Sequence, residues 1–185
     1  LAANGVTGRD TALEGRFGFR ALYAGPRSPG WKAILPSLGD PLYLVACGLA
    51  PKLYPCCGSA HRALDGLLEL RSGHGFGADD VAAVEILAGF TNKRNLMYPE
   101  PKDEMEARFS MHYCVAVALL FGGLSLADFT PQAVGRPRVR GLLALTHMRG
   151  RPQKDEGNDP ANRKPVLVKV KLKGGQVLRT SVQHA

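Results

Sequence analysis

The 185-residue sequence contains no apolar run long enough to cross a bilayer; its longest candidate, Tyr113 to Phe121, stops well short. It also lacks any run of five basic residues, and no aromatics are interleaved among the basic ones. The formal charge of +8 and pI near 9.6 admit an anionic surface, an acidic small molecule or nucleic acid as partners, and nucleic acid is not expected. Four cysteines, Cys47, Cys56, Cys57 and Cys114, form neither a C-x-x-C pair nor a Cys/His quartet with zinc spacing. Neighbouring cysteines rarely bridge each other, so reduced thiols in an intracellular protein are the simpler reading. No internal repeat is visible. The absence of a leader says nothing about location, because a chain that opens on Leu1 reads as an excerpt.

What the chain does contain is a crowd of reactive groups between Pro51 and Glu69. Pro55 disfavours helix at Tyr54, so Lys52 to Tyr54 should be extended, with a helix starting near Gly58 or Ser59 and Ser59 as its N-cap. Ala60, Ala63, Leu64, Leu67 and Leu68 then fall at helical spacing on one stripe. His61 sits in the first turn at the stripe's edge. Asp65, four residues on, is placed to bond the imidazole and set its tautomer. A lysine, a helix N-terminus and a histidine describe an anion site with a proton carrier in it; a strand-to-helix corner with an ordinary histidine reads equally well.

A second stretch runs from Glu106 to Gly122. Ser110 is a good N-cap, Gly122 a good stop, and the apolar run between them predicts a helix buried on all sides. Arg108 precedes it, and Tyr113 in its first turn is either a packing residue or a proton donor in a cleft. Elsewhere, Leu42 to Leu49 and Asp79 to Ala88 read as strands, Thr91 to Lys102 as loop, and Leu124 to Thr130 and Pro137 to Thr146 as short helices. A strand starts at His147. Pro165 to Val182 is a hairpin turning at Gly174-Gly175, with Lys169, Lys171 and Lys173 on its solvated face. Gly73-His-Gly-Phe-Gly77 follows a helix rather than a strand, so it reads as a loop and not as a phosphate cradle. Residues 1–41, punctuated by glycine and proline, are expected to be the trailing piece of an upstream all-helical domain. Residues 42–185 should form an α+β domain, a small antiparallel sheet with helices on one side.

Lys52-Leu-Tyr-Pro-Cys-Cys57 followed by His61 and Asp65, then Ala107-Arg-Phe-Ser-Met-His-Tyr113 with Ala116, Ala118 and Leu119-Leu120, resembles the MmgE/PrpD family. Glu14-Gly15 with Gly18, Leu38-Gly39 and Leu126-Ala-Asp-Phe-Thr130 fit the same pattern. The family includes 2-methylcitrate dehydratase, cis-aconitate decarboxylase and an iminodisuccinate epimerase. The resemblance implies a protein of about twice this length, in which an α+β lid closes over a helical core domain and the two share the active site. This excerpt would be the lid, inactive without the missing core. By resemblance Lys52 and Tyr113 are active-site residues and His61 is a recurring one, while Cys57 stands where some members place histidine. Cys57, Ser59 and Arg108 are expected to touch substrate, with Asp65 behind them. The resemblance also implies a homodimer in the cytoplasm, or in the mitochondrial matrix of a eukaryote, with no membrane or nucleic-acid partner.

Dehydrating a hydroxy-polycarboxylate such as 2-methylcitrate removes a proton α to a carboxylate and expels a β-hydroxyl. Lys52 beside a helix N-terminus can steady the carbanion, and His61 or Tyr113 can move protons. No metal or other cofactor is expected, since Cys56-Cys57 is poorly spaced for an iron–sulfur cluster. Decarboxylation and epimerisation start from the same kind of carbanion and stay open. Outside the family, the alternatives are a basic α+β module binding anions or nucleic acid through the lysine row, and a metal site built from Cys56, Cys57 and His61. The enzyme reading requires Lys52, His61 and Tyr113 to converge on one cleft.

Overall fold

The computed structural model describes residues 2–23, 35–42, 44–45, 48–49, 51–155 and 164–183. Cys47 lies outside them, as does the first half of the stretch from Trp31 to Leu38, where the sequence suggests a short helical piece. The chain divides into two compact units, residues 1–50 and 51–185. The first contains α1 (Phe19–Tyr23) and little regular structure besides. Among its described residues only Gly18 is buried, and these residues form no apolar core. Leu44 and Val45 are helical, which corrects the strand expected over Leu42 to Leu49.

The second unit begins with a 3-10 turn, Gly58–Ala60, that runs into α2 (His61–His74). Ala60, Ala63, Leu64 and Leu67 are buried, as the stripe requires. Gly75 adopts the left-handed conformation that stops the helix. Ala60 occupies the N-cap position without a side-chain bond, so Ser59 is not the cap. Then come β1 (Val81–Ala88), α3 (Phe90–Asn95) and α4 (Glu104–Arg108). The expected loop from Thr91 is therefore helical at its start. Its polar sequence carries no apolar stripe, and amide bonds from Asn92 and Asn95 to Ser59 tie it down instead.

Helix α5 (Met111–Phe121) matches its expectation closely. The Ser110 hydroxyl accepts from the Tyr113 amide, Gly122 ends the helix at φ 76°, and every residue from Tyr113 to Leu119 is fully buried. After it come a single 3-10 turn, Leu126–Asp128, in place of the expected helix, then α6 (Pro131–Val134) and α7 (Pro137–Leu142). The strands β2 (Thr146–Gly150), β3 (Val166–Leu172) and β4 (Val177–Val182) complete the unit.

The class is α+β. The sheet order is β2-β1-β3-β4. Strands β3 and β4 form the expected hairpin, and β1 pairs antiparallel with β3. One pairing differs: β2 runs parallel to β1, with Glu85 opposite His147. The segment between them passes through five helices, a crossover long enough for a parallel return. Val84, Ile86, Val166, Val168, Val170 and Leu178 turn inward toward α2 and α5. Glu85, Leu87, His147, Lys169 and Arg179 line the opposite, uncovered face.

Two features of this layering are measurable. A Cβ on Gly66 of α2 would lie 2.8 Å from the Thr180 methyl and 3.0 Å from a Val182 methyl, both on stiff β-branched side chains. Helix propensity favours alanine there by about 1 kcal/mol, but overpacking costs about 1–3 kcal/mol. Gly66→Ala should therefore lower the free energy of denaturant unfolding, and a gain would contradict the close approach of α2 to the sheet. On the outer face, Lys171 and Lys169 bond Glu85 at 2.5 and 3.0 Å and hold its carboxyl down at about 2, against an ordinary 4.5. A depressed carboxylate stabilises the fold above its ordinary value and loses that contribution as pH falls toward its folded value. The stability gap between the parent and Glu85→Gln should therefore close between about pH 4.5 and pH 2 in thermal melts. A gap that is constant with pH would refute the pairing.

Candidate functional site

Lys52 is exposed, and its charge reaches the thiol of Cys56. Cys56 is buried, as is Cys114; the Cys56 thiol donates to its neighbour's carbonyl and the Cys114 thiol to the Ala107 carbonyl, each at 3.8 Å. Interaction between the two thiols, followed by the lysine, favours the Cys56 thiolate against burial, and it raises the Cys114 thiol, which burial raises further. Cys57 is half-buried, and its amide donates to the Arg108 carbonyl at 2.9 Å. The motif is thus stitched to the segment just ahead of α5.

His61 is 7% exposed, and its Nε2 has no hydrogen-bond partner among the described residues. Its ring meets Tyr54 edge-on at 5.2 Å. The Tyr54 hydroxyl donates to Asp65 at 2.6 Å, and burial followed by this bond lifts the phenol well above its ordinary range. This corrects the expected His61–Asp65 pair, because Tyr54 reaches the carboxylate across the turn and takes its oxygen.

Tyr113 is 0% exposed, and its hydroxyl donates to the Asp128 carbonyl. Burial, then the nearby Asp128 charge, pushes its phenol up to about 12. The structure therefore places it in the core beside Phe129, not at the mouth of a cleft. The Arg108 guanidinium lies 5.6 Å over the same Phe129 ring, with Nη1 on the Glu104 carbonyl at 3.4 Å. Among the described residues, neither of the two main cavities is lined by Lys52, His61 or Tyr113.

A polar cavity of about 310 Å³ instead opens beside the Gly58–Ser59 turn. Of the expected site residues, Ser59 alone lines it. Its hydroxyl accepts from Asn95 and its carbonyl from Asn92, each at 3.0 Å. Arg62, Arg151 and Lys164 bring three positive charges to the walls, against the single carboxylate of Asp155. Arg62 Nη1 donates to the carbonyls of Lys164 and Gln183, both at 3.2 Å, and Lys164 stands 3.9 Å from Asp155. The Arg151 amide donates to Ala88 at 2.9 Å, while its Nη1 is buried without a partner.

Sequence reading missed these wall residues. Asn92 and Asn95, three apart, share one helix face, and that spacing was the signal available for them. Arg62, Arg151 and Lys164 come from distant segments and carry no local mark. Among the described residues, no three His, Cys, Asp or Glu side chains gather as a metal site would require, which leaves the Cys56–Cys57–His61 alternative without a ligand set. The basic-module alternative also weakens, since Lys169 and Lys171 are both engaged by Glu85.

The phenol of Tyr113 can be checked directly. Tyr113→Phe leaves a buried carbonyl short of its donor and should lower the free energy of unfolding by about 1–3 kcal/mol. A variant as stable as the parent would contradict the core placement.

With this geometry in hand, relatives supply the frame. The family described as the MmgE/PrpD C-terminal domain matches residues 54–185. Cis-aconitate decarboxylase from Homo sapiens is 29% identical over 153 residues, which is 80% of this chain and 31% of that protein. The Mus musculus cis-aconitate decarboxylase is 31% identical over 150 residues, covering 77% of this chain and 30% of its own length. The chain therefore spans less than a third of the curated relatives it matches. Over residues 54–185, which contain the cavity and nearly all of the second unit, the chain belongs to the MmgE/PrpD family.

Proposed function

We propose that this chain is the lid-side part of a lyase acting on a small di- or tricarboxylate. The observation that carries the reading is the cavity beside the Gly58–Ser59 turn of the motif, with three cations, two side-chain amides and two hydroxyls against one carboxylate. Its volume of about 310 Å³ is at the small end for ligand pockets, which suits a compact polyanion. Decarboxylation of cis-aconitate is the first choice within the family, because both relatives carry that name. Dehydration of a hydroxy acid such as 2-methylcitrate is second.

In either reaction negative charge develops on a carbon next to a carboxylate, as carbon dioxide leaves or as a proton is removed. A cation held near that carboxylate lowers the barrier by stabilising the charge as it forms. Lys52, exposed at the head of the motif, is assigned this role. His61 shapes the approach through its contact with Tyr54. The acid that delivers or removes the proton is assigned to the missing helical domain of the whole protein, because Tyr113 is spent in the core. A homodimer, and a cytoplasmic or mitochondrial setting, complete the proposal.

The test is to incubate the full-length protein with cis-aconitate, 2-methylcitrate and citrate and to follow products by NMR. Loss of carbon dioxide from cis-aconitate is expected. Lys52→Ala should lower turnover by about 100-fold or more with an unchanged melting temperature, because the side chain is exposed. Failure to convert any of these acids would overturn the lyase reading, and full activity in Lys52→Ala would remove the lysine from it.

A further inference from the structure

We infer that Arg151 is the residue that selects for an additional carboxylate on the substrate, bound away from the carbon that reacts. The inference rests on the polycarboxylate reading above. Its own ground is that Arg151 lines a polar cavity and that its Nη1 is buried with no partner among the described residues. A guanidinium cannot shed its charge, and a buried donor left unmade is unfavourable until an acceptor arrives. The planar fork donates to two oxygens of one carboxylate side by side, which a point charge does not.

The other wall cations are already engaged. Arg62 holds the carbonyls of Lys164 and Gln183, and Lys164 faces Asp155. Arg151 is also well seated. Its amide is bonded to Ala88 at the end of β1. A Cβ on the preceding Gly150 would lie 2.9 Å from the Lys93 Cβ, so the end of β2 sits hard against α3, the helix that contributes Asn92 and Asn95. The backbone that carries the guanidinium and the amides opposite Ser59 are thus fixed relative to one another before a ligand binds, which favours discrimination between similar acids.

The experiment compares binding of tricarballylate, an unreactive tricarboxylate, with glutarate, a dicarboxylate, by calorimetry on the full-length protein. The parent should bind tricarballylate about 10- to 100-fold more tightly than glutarate. Arg151→Gln should erase that preference by weakening tricarballylate alone, its retained glutarate affinity showing that the site is intact. Arg151→Lys should restore the preference only in part. An Arg151→Gln protein that keeps the preference would overturn the selective role while leaving the polycarboxylate reading in place. Equal loss of both acids would also overturn selectivity, making Arg151 a general anchor. A parent that binds neither acid would defeat the polycarboxylate reading itself.

Discussion

The constraint on which the second unit depends is a helix with no polar face. From Tyr113 to Leu119 every side chain of α5 is fully buried, so this helix is stable only when other elements enclose it. Helix α2, helix α7 and strand β2 all pack against it. Burying a single Leu or Val side chain contributes about 1.5–3 kcal/mol, and a run of them outweighs any one surface interaction in the domain. The ends are settled by local chemistry: the Ser110 hydroxyl satisfies an amide at the start, and a left-handed Gly122 closes the last turn.

This enclosure explains where the motif lies. The segment just before α5 offers the Arg108 carbonyl to Cys57, and the buried Cys114 in the first turn of α5 interacts with Cys56. The paired cysteines therefore act as the hinge between reactive approach and core, one sulfur turned inward and the next residue's amide fixed. Beyond them, Ser59 is held from the far side by Asn92 and Asn95. A turn gripped at both ends presents Gly58 and Ser59 to the cavity as a rigid wall, while Lys52, earlier in the motif, is exposed and does not line it. Binding sites gain from such preorganisation because less ordering is left to the moment of binding.

Where periodicity or capping decided an element, the residues were legible. The apolar stripe of α2, the capped and wholly apolar α5, and the β3–β4 hairpin each rest on signals within a dozen residues. Elements held by distant partners were not legible. The polar α3 has no stripe, and its formation depends on bonds to Ser59, more than thirty residues earlier. The parallel pairing of β2 with β1 depends on a crossover whose length, not its composition, sets the direction. Tyr113 marks the same limit within the site. Its spacing from Ser110 located the helix start, but whether its hydroxyl meets solvent or the Asp128 carbonyl is decided by a segment fifteen residues downstream.

Unsatisfied buried polar atoms offer a more specific guide to function than the motif itself. A folded chain pairs nearly all such groups, so an orphan needs an explanation. Five such atoms occur among the described residues, and two of them belong to residues near the motif and the cavity: Nε2 of His61, whose ring meets Tyr54 edge-on, and Nη1 of Arg151, a residue that lines the cavity. They differ in what they ask for. A neutral imidazole nitrogen can donate or accept, and its state follows whatever approaches it. A guanidinium nitrogen only donates and stays charged, so what completes it must bring an acceptor oxygen and is favoured if it brings negative charge. With Arg62, Lys164 and the two asparagines around it, Arg151 is the better suited to bind an anion, and His61 to adjust how the motif is presented.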